Sequence, residues 1–379
     1  MSKSRFLISC GGTGGHLSPG ISLAEGLVGR GHEITLLISR KKVDGRLIEK
    51  YPGFRFERMP GAPFSWHPAG LARCIVSQVR ALAFCLRIIA RWHPDAIIGF
   101  GGFTSAPIVL AGGLARVPVA LHEANRVPGL AIRTLGRFAR RVYLPPGVRV
   151  GSVSPWASRQ VGLPVRREIA RLPGGESRTA LGLDPNQKVL AVLGGSQGAS
   201  VLNEWTRSNV GVLASEGIQV YCLTGLDKGP AESVEMRTKT GAAVRVVFAP
   251  FCDRMAELLS AADLVVSRAG AGTLAELIRC ETPAILVPYP HAADRHQHRN
   301  AEFFERQGGG LVLDQSMIGG LVAEVMDTIF NEWLLRKFRA NLQRMDRANS
   351  LDTMLRDLEG IADSGGKGPA ERLAPAGIR

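Results

Sequence analysis

The chain has 379 residues, 45% hydrophobic and 21% charged, a composition that excludes a disordered or fibrous protein. At roughly 150 residues per domain there is room for two domains. The net charge is +14, and the six cysteines (Cys10, Cys74, Cys85, Cys222, Cys252, Cys280) contain no C-x-x-C pair, which argues against a disulfide framework or zinc module and fits a reducing compartment.

In chain order, Arg5–Cys10 is a short apolar run followed by the string Gly-Gly-Thr-Gly-Gly-His at 11–16 and an apolar-periodic stretch (Ile21, Leu23, Ala24, Leu27). This reads as strand, glycine turn and helix, and the apolar run is too short for a secretory signal. Strands are predicted at Glu33–Ile38, Ala96–Phe100 and Pro118–Leu121, and helices near 70–91, 105–115 and 128–140. The uncharged stretch between Asp95 and Arg116 is long enough to span a bilayer, yet its glycines and Pro107 mark it as buried strand, loop and helix. The second half restarts the pattern, with a strand at Lys188–Leu193, a loop at 194–199 and a helix at 200–215. Strands follow near 218–223, 244–248, 263–267 and 284–287, and one long helical stretch near 319–361 closes the chain.

Strands alternating with helices imply parallel sheets with right-handed crossovers. The two restarts give an α/β fold of two Rossmann-like doubly wound domains facing a cleft. The expected boundaries are 1–163, 164–363 and a disordered tail at 364–379, with the crossing near Gly162–Arg166.

Charge divides unevenly. Residues 1–160 carry 22 Lys and Arg against 7 Asp and Glu, a net +15, whereas the remainder carries 25 against 26. Such a half meets an anionic surface. Nucleic-acid readers show an aromatic platform or a recognition helix, and neither is present, so no nucleic-acid partner is expected. Arg73, Arg80, Arg87 and Arg91 line one face of the 70–91 helix beside Leu71, Ile75, Val79, Leu82, Leu86 and Ile89. This face either lies on an anionic bilayer or is the solvated side of a half-buried helix.

Four glycine-rich turns follow predicted strands, at 11–15, 99–102, 194–198 and 270–272. Glycine lets backbone amides approach a phosphate, and helix N-termini there face anions. Residues 10–15 do not cleanly meet the dinucleotide fingerprint, and no G-x-x-x-x-G-K-[ST] string exists. His16 follows the first turn at a helix entry, where a neutral imidazole can serve as a base or simply hold the loop. His291, Asp294, His296 and His298 resemble metal ligands by composition but lack metal-site spacing, so no metal is expected.

The strings GGTGGHLSPG at 11–20, GFGGFTSAP at 99–107, HEANRVPG at 122–129, LGGSQGAS at 193–200, SRAGAGTLAEL from 267 and PHAADRHQHRNA to 301 resemble the MurG family. These are the UDP-N-acetylglucosamine–N-acetylmuramyl-(pentapeptide) pyrophosphoryl-undecaprenol N-acetylglucosamine transferases. The resemblance spans most of residues 5–360 and implies a GT-B glycosyltransferase without cofactor, peripheral on the cytoplasmic face of the cell membrane. Its partners would be UDP-N-acetylglucosamine, undecaprenyl-linked lipid I and the anionic inner-membrane surface.

By the same resemblance, Thr13, Gly14 and Gly15 line the donor sugar and diphosphate, with Asn125 reaching the sugar. Arg166 and Ser196 contact the diphosphate. Ala271, Gly272, Thr273, Leu274, Ala275 and Glu276 wrap the nucleotide, Glu276 meeting the ribose. Cys252 stands where the family holds uracil through its backbone, Gln297 meets sugar hydroxyls, and Asn300 completes an H-Q-x-x-N pattern. His16 is the expected base. Ala124 and Leu163 replace the family's usual amides, which bears on fine specificity. The alternatives are a related transferase acting on another lipid such as diacylglycerol, and a catalytically silent sugar-nucleotide-binding protein.

Overall fold

The computed structural model describes residues 3–11, 14–39, 48–60, 68–102, 104–195, 198–226, 228–346 and 351–365. The chain divides into two compact units. The first holds Met1–Ala124, Pro128–Arg166 and Asn349–Arg379, and the second holds Asn125–Val127 and Arg167–Ala348.

The first unit contains strands β1 (Arg5–Ser9), β2 (Glu33–Ile38), β3 (Phe56–Arg58), β4 (Ala96–Gly99), β5 (Val119–His122), β6 (Arg141–Leu144) and β7 (Ser158–Gln160), with helices α1 (Gly14–Gly29), α2 (Pro68–Trp92), α3 (Ser105–Leu114) and α4 (Leu130–Leu135). The strands pair in parallel in the order β3-β2-β1-β4-β5-β6-β7. β1, β2, β4 and β5 are mostly apolar and almost wholly buried because helices cover both faces of the sheet. From β1 the chain goes to β2 on one side and reaches β4 on the other. The order therefore reverses between β1 and β4, and the crevice outside their carboxyl ends is where open α/β sheets hold ligands.

The second unit carries α5 (Gly174–Ala180), β8 (Lys188–Leu193), α6 (Ser200–Ser215), β9 (Ile218–Leu223), β10 (Glu232–Arg237), β11 (Ala243–Ala249), α7 (Met255–Ala261), β12 (Leu264–Ser267), α8 (Ala271–Arg279), β13 (Ala284–Leu286), α9 (His296–Arg306), β14 (Gly310–Val312), α10 (Leu321–Ile329) and α11 (Glu332–Asp346). Its sheet order is β10-β11-β9-β8-β12-β13-β14, with a reversal between β8 and β12. All four glycine-rich turns of the sequence lie at these two reversals.

The expected doubly wound α/β class holds, and three details differ. β10 pairs antiparallel to β11, a pairing that the charged edge strand Glu232–Arg237 does not advertise. The helical stretch expected over 319–361 is broken, and α11 begins where Asn331 Oδ1 accepts the Leu334 N–H at 3.0 Å. The final helix, α12 (Leu351–Gly365), joins the first unit rather than closing the second. Its Met354, Leu355, Leu358 and Ile361 enter the core beside Leu17, Ile21 and Leu27 of α1. A Cβ at Gly26 would lie 2.8 Å from Leu355 Cδ1, so glycine permits the close approach. Carboxylates complete the dock. Glu359 meets Arg30 at 2.9 Å and His32 at 3.0 Å, and Asp357 takes Arg141 at 2.6 and 2.8 Å and the Tyr143 hydroxyl at 2.9 Å.

No helix among the described residues is long and apolar enough to cross a membrane.

Candidate active site

In the first unit the turn after β1 and the turn after β4 are laced together. Thr104, fully buried, donates from Oγ1 to the Gly11 carbonyl at 3.2 Å, and Ser105 Oγ donates to the Gly101 carbonyl at 2.8 Å. Gly11 must be glycine, since an added Cβ would sit 2.3 Å from the Ser39 backbone nitrogen. Gly101 and Gly102 adopt φ of +93° and +73°. A Cβ on Gly102 would be 3.3 Å from His16 Cε1 and Nδ1, and one on Gly101 would be 3.5 Å from Nε2. The imidazole of His16 thus rests on this turn, half-buried, within the first turn of α1. That first turn carries no acidic side chain.

Two residues of the HEANRVPG string to which the sequence reading gave no role lie at the end of β5. His122 is 1% exposed, its ring centroid 5.2 Å from Phe100 and 6.4 Å from Tyr143. Burial lowers its pKa from 6.5 to about 4, helped by His16. The Gly162 backbone offsets this only as a poorly aligned contact, because neither ring nitrogen has a partner of hydrogen-bond geometry among the described residues. Glu123, also buried, accepts the Gly129 N–H at 2.7 Å and closes the loop that follows. The available signal was two titratable residues directly after an apolar strand.

The depressed value of His122 has a consequence for stability. The unfolded ring binds its proton near pH 6.5 and the folded one only near pH 4, so the unfolded state takes up more protons in between. The contribution is complete above pH 6.5 and falls by about 3 kcal/mol toward pH 4. The unfolding free energy of His122→Gln, measured by denaturant titration, should lack this decline relative to the unchanged protein. A difference between the two that stays constant from pH 7 to pH 4.5 would contradict the assignment.

Thr13 lies outside the described residues, while Gly14 and Gly15 open α1. Arg166 falls in the first unit and is buried, preceded by Val165, whose carbonyl accepts Ser22 Oγ at 2.7 Å. On α2, Arg80, Arg87 and Arg91 are exposed, and Arg73 lies outside the described side chains. The buried residues described on this helix are Cys74, Ala81, Cys85 and Ile89, whereas Val79, expected on the apolar side, is 62% exposed, and Val76 is 51% exposed.

In the second unit the turn after β8 also requires glycine. A Cβ on Gly194 would meet the Ala199 backbone nitrogen at 2.3 Å, and Gly198 has φ +71°. Ser196 lies outside the described residues. After β12, Gly270 caps α8, whose first turn (Ala271, Gly272, Thr273) has no acidic residue and offers unpaired backbone N–H groups to an anion. Leu274 is buried in the core side, and Ala275 and Glu276 are half-buried one turn along. Cys252 is buried and its thiol pKa is raised by that burial.

The segment Asn125–Val127 belongs to this unit, beside α9. Asn300 Nδ2 lies 3.1 Å from Asn125 Oδ1, and the Arg126 guanidinium stacks over the Phe303 ring at 4.0 Å. Gln297 uses its Oε1 to accept the Tyr289 N–H at 3.0 Å. The structure therefore brings Asn125 to Asn300 near the start of α9, the helix that also carries Gln297. Of the residues that resembled metal ligands, His296 bonds the Ala293 carbonyl and His298 pairs with Asp314 at 3.7 Å.

Residues 6–144 match the glycosyltransferase family 28 N-terminal domain, and residues 189–352 match the family 28 C-terminal domain. A UDP-N-acetylglucosamine–N-acetylmuramyl-(pentapeptide) pyrophosphoryl-undecaprenol N-acetylglucosamine transferase of Opitutus terrae is 61% identical, over 98% of this chain and 99% of its own length. The protein of the same name from Desulforudis audaxviator is 33% identical, over 95% and 99%. Among solved structures, MurG of Acinetobacter baumannii has a TM-score of 0.70 at 23% identity, covering 95% of this chain and 100% of its own. The glycosyltransferase SsfS6 of Streptomyces sp. SF2575 has a TM-score of 0.64 at 16% identity, covering 94% and 99%. At these identities the structures speak for the fold, the GT-B arrangement of two Rossmann-like domains.

Proposed function

The chain belongs to the MurG family within glycosyltransferase family 28, and on that premise we propose that it makes lipid II for peptidoglycan synthesis. It moves N-acetylglucosamine from UDP-N-acetylglucosamine to the 4-hydroxyl of the muramyl sugar of lipid I. The observation that carries this reading is the likeness to the Opitutus terrae transferase along almost the whole chain.

The chemistry follows from where charge develops. Cleavage of the anomeric bond leaves negative charge on the diphosphate, which the α8 N-terminus, the 194–198 turn and Arg166 stabilise. The acceptor hydroxyl loses its proton to His16 as it attacks, and a single displacement inverts the anomeric centre to give a β-linkage. Glu276 holds the ribose, Cys252 marks the uracil end, and Asn125 and Gln297 read the sugar. The deciding experiment is transfer of labelled N-acetylglucosamine to a lipid I analogue, with diacylglycerol offered in parallel. Transfer to diacylglycerol alone, or UDP-sugar binding without any turnover, would replace this reading with one of the two alternatives.

The enzyme acts peripherally on the cytoplasmic membrane face, where its lipid-linked acceptor resides. Exposed Arg80, Arg87 and Arg91 beside outward-facing Val76 and Val79 support this surface. A second basic group, Arg133, Arg137 and Arg140, stands near exposed Leu130, Phe138 and Trp156. Arg141 is not part of it, being tied to Asp357. Each arginine near an anionic leaflet contributes about 1 kcal/mol. Changing Arg73, Arg80, Arg87 and Arg91 to glutamine should therefore abolish most sedimentation with phosphatidylglycerol vesicles and leave UDP-N-acetylglucosamine affinity intact. Undiminished sedimentation would move the membrane face to the second group.

A further inference from the structure

We propose that Asn300 is a positioning residue for Asn125, fixing its side-chain amide so that Asn125 offers its NH2 end, not its oxygen, to the donor sugar. The inference rests on the reading above that Asn125 meets that sugar.

An asparagine carries a donor and an acceptor that look alike, and only partners of fixed polarity decide which end is which. Asn300 has two such partners. The Arg126 backbone N–H, which can only donate, lies 2.9 Å from Oδ1, and the Ala269 carbonyl, which can only accept, lies 3.1 Å from Nδ2. Asn300 is 2% exposed, so neither partner can be exchanged for bulk water. Its orientation is set, and with it the atom it presents to Asn125. That atom is Nδ2, a donor, at 3.1 Å, and Asn125 must answer with Oδ1. The opposite end of Asn125 is then its NH2 group. The stacking of Arg126 over Phe303, one turn beyond Asn300, ties the same segment to the same helix a second time.

Gln297, three residues before Asn300, follows the same logic. Its oxygen accepts the Tyr289 N–H at 3.0 Å, which leaves its NH2 end as the one available to the sugar. Both amides then approach the sugar as donors, and the hydroxyls they meet are recognised through oxygen lone pairs.

Calorimetric titration with UDP and with UDP-N-acetylglucosamine tests this on the full-length protein. Asn300→Asp can still accept from Arg126 but cannot donate to Asn125 or Ala269. It should lose about tenfold or more in UDP-N-acetylglucosamine affinity while UDP affinity stays within about twofold. In the Asn125→Ala background the same change should cost little more, because its route to the sugar is gone. Asn125→Asp gives an answer that does not depend on Asn300→Asp folding. Its carboxylate suits the Asn300 donor but cannot donate to a sugar, so UDP-sugar affinity should fall with UDP affinity unchanged. Retained UDP-sugar affinity in Asn125→Asp, fully multiplicative losses in the double variant, or equal loss of UDP and UDP-sugar in Asn300→Asp would overturn the proposal. If Asn125→Ala binds UDP-N-acetylglucosamine like the unchanged protein, the reading that Asn125 meets the sugar fails, and the proposal with it.

Discussion

Replacing His16 with alanine is expected to lower turnover by ~10²-fold or more at saturating substrates, the range for loss of a general base. The ring sits in the first turn of α1 against the Gly101–Gly102 turn, at the strand-order reversal of the first unit. No acidic side chain stands in that first turn, and a helix N-terminus is a setting that suits a neutral imidazole. Donor affinity should change little, since the residues proposed for the nucleotide lie mostly in the second unit. A graded companion is Gly102→Ala. Its Cβ would press on the His16 ring at 3.3 Å from a backbone of φ +73°, so turnover should fall there too, by less. Initial rates with a lipid I analogue and a separate donor titration check both. Turnover of His16→Ala close to that of the unchanged protein would remove His16 from the reaction.

The largest stability effect is expected at Asp357. Its carboxylate takes Nε and Nη2 of Arg141 and the Tyr143 hydroxyl, with Asp357 18% and Arg141 14% exposed. Alanine there strands a mostly buried guanidinium and a fully buried phenol together. Removing one partner of a buried pair costs about 3–5 kcal/mol, and for a unit of this size the melting temperature should drop on the order of 10 °C. Asp352, whose pairing with Arg30 is 72% exposed on the carboxylate side, supplies the contrast. Asp352→Ala should cost under about 1 kcal/mol. Thermal denaturation followed by circular dichroism compares the two, and an Asp357→Ala protein that melts like Asp352→Ala would mean that the Asp357 pairing does not hold α12 in place.

Both expectations draw on features that were legible in the sequence to very different degrees. His16 was visible because a glycine run between an apolar strand and a helix constrains where the next side chain goes. The central strands were visible for a similar reason: a strand buried on both faces is mostly apolar, as Lys188–Leu193 is after its first residue and as Glu33–Ile38 and Ile218–Leu223 are apart from Glu33, Thr35 and Gln219. The edge strands were not. Phe56–Arg58, Ser158–Gln160 and Glu232–Arg237 are short or charged and half-solvated, so their strand character comes from a neighbour's free edge rather than from their own composition.

The sequence by itself determined the α/β class, the four glycine turns and the family motifs, since each is a local pattern whose physics acts over a few residues. Only the tertiary structure decided which unit α12 completes, because helical periodicity specifies an apolar face without specifying what it packs on. The partner of Asp357 is 216 residues away at Arg141, and no local spacing encodes that pairing. Likewise Asn300 and Asn125 are separated by 175 residues, and the polarity of their contact follows from the backbone of Arg126, next to Asn125, and of Ala269, which comes from a third segment of the chain. Burial of His122 is of the same kind. Its pKa near 4 is set by the rings of Phe100 and Tyr143 and by exclusion of water, which exist only once three strands have paired.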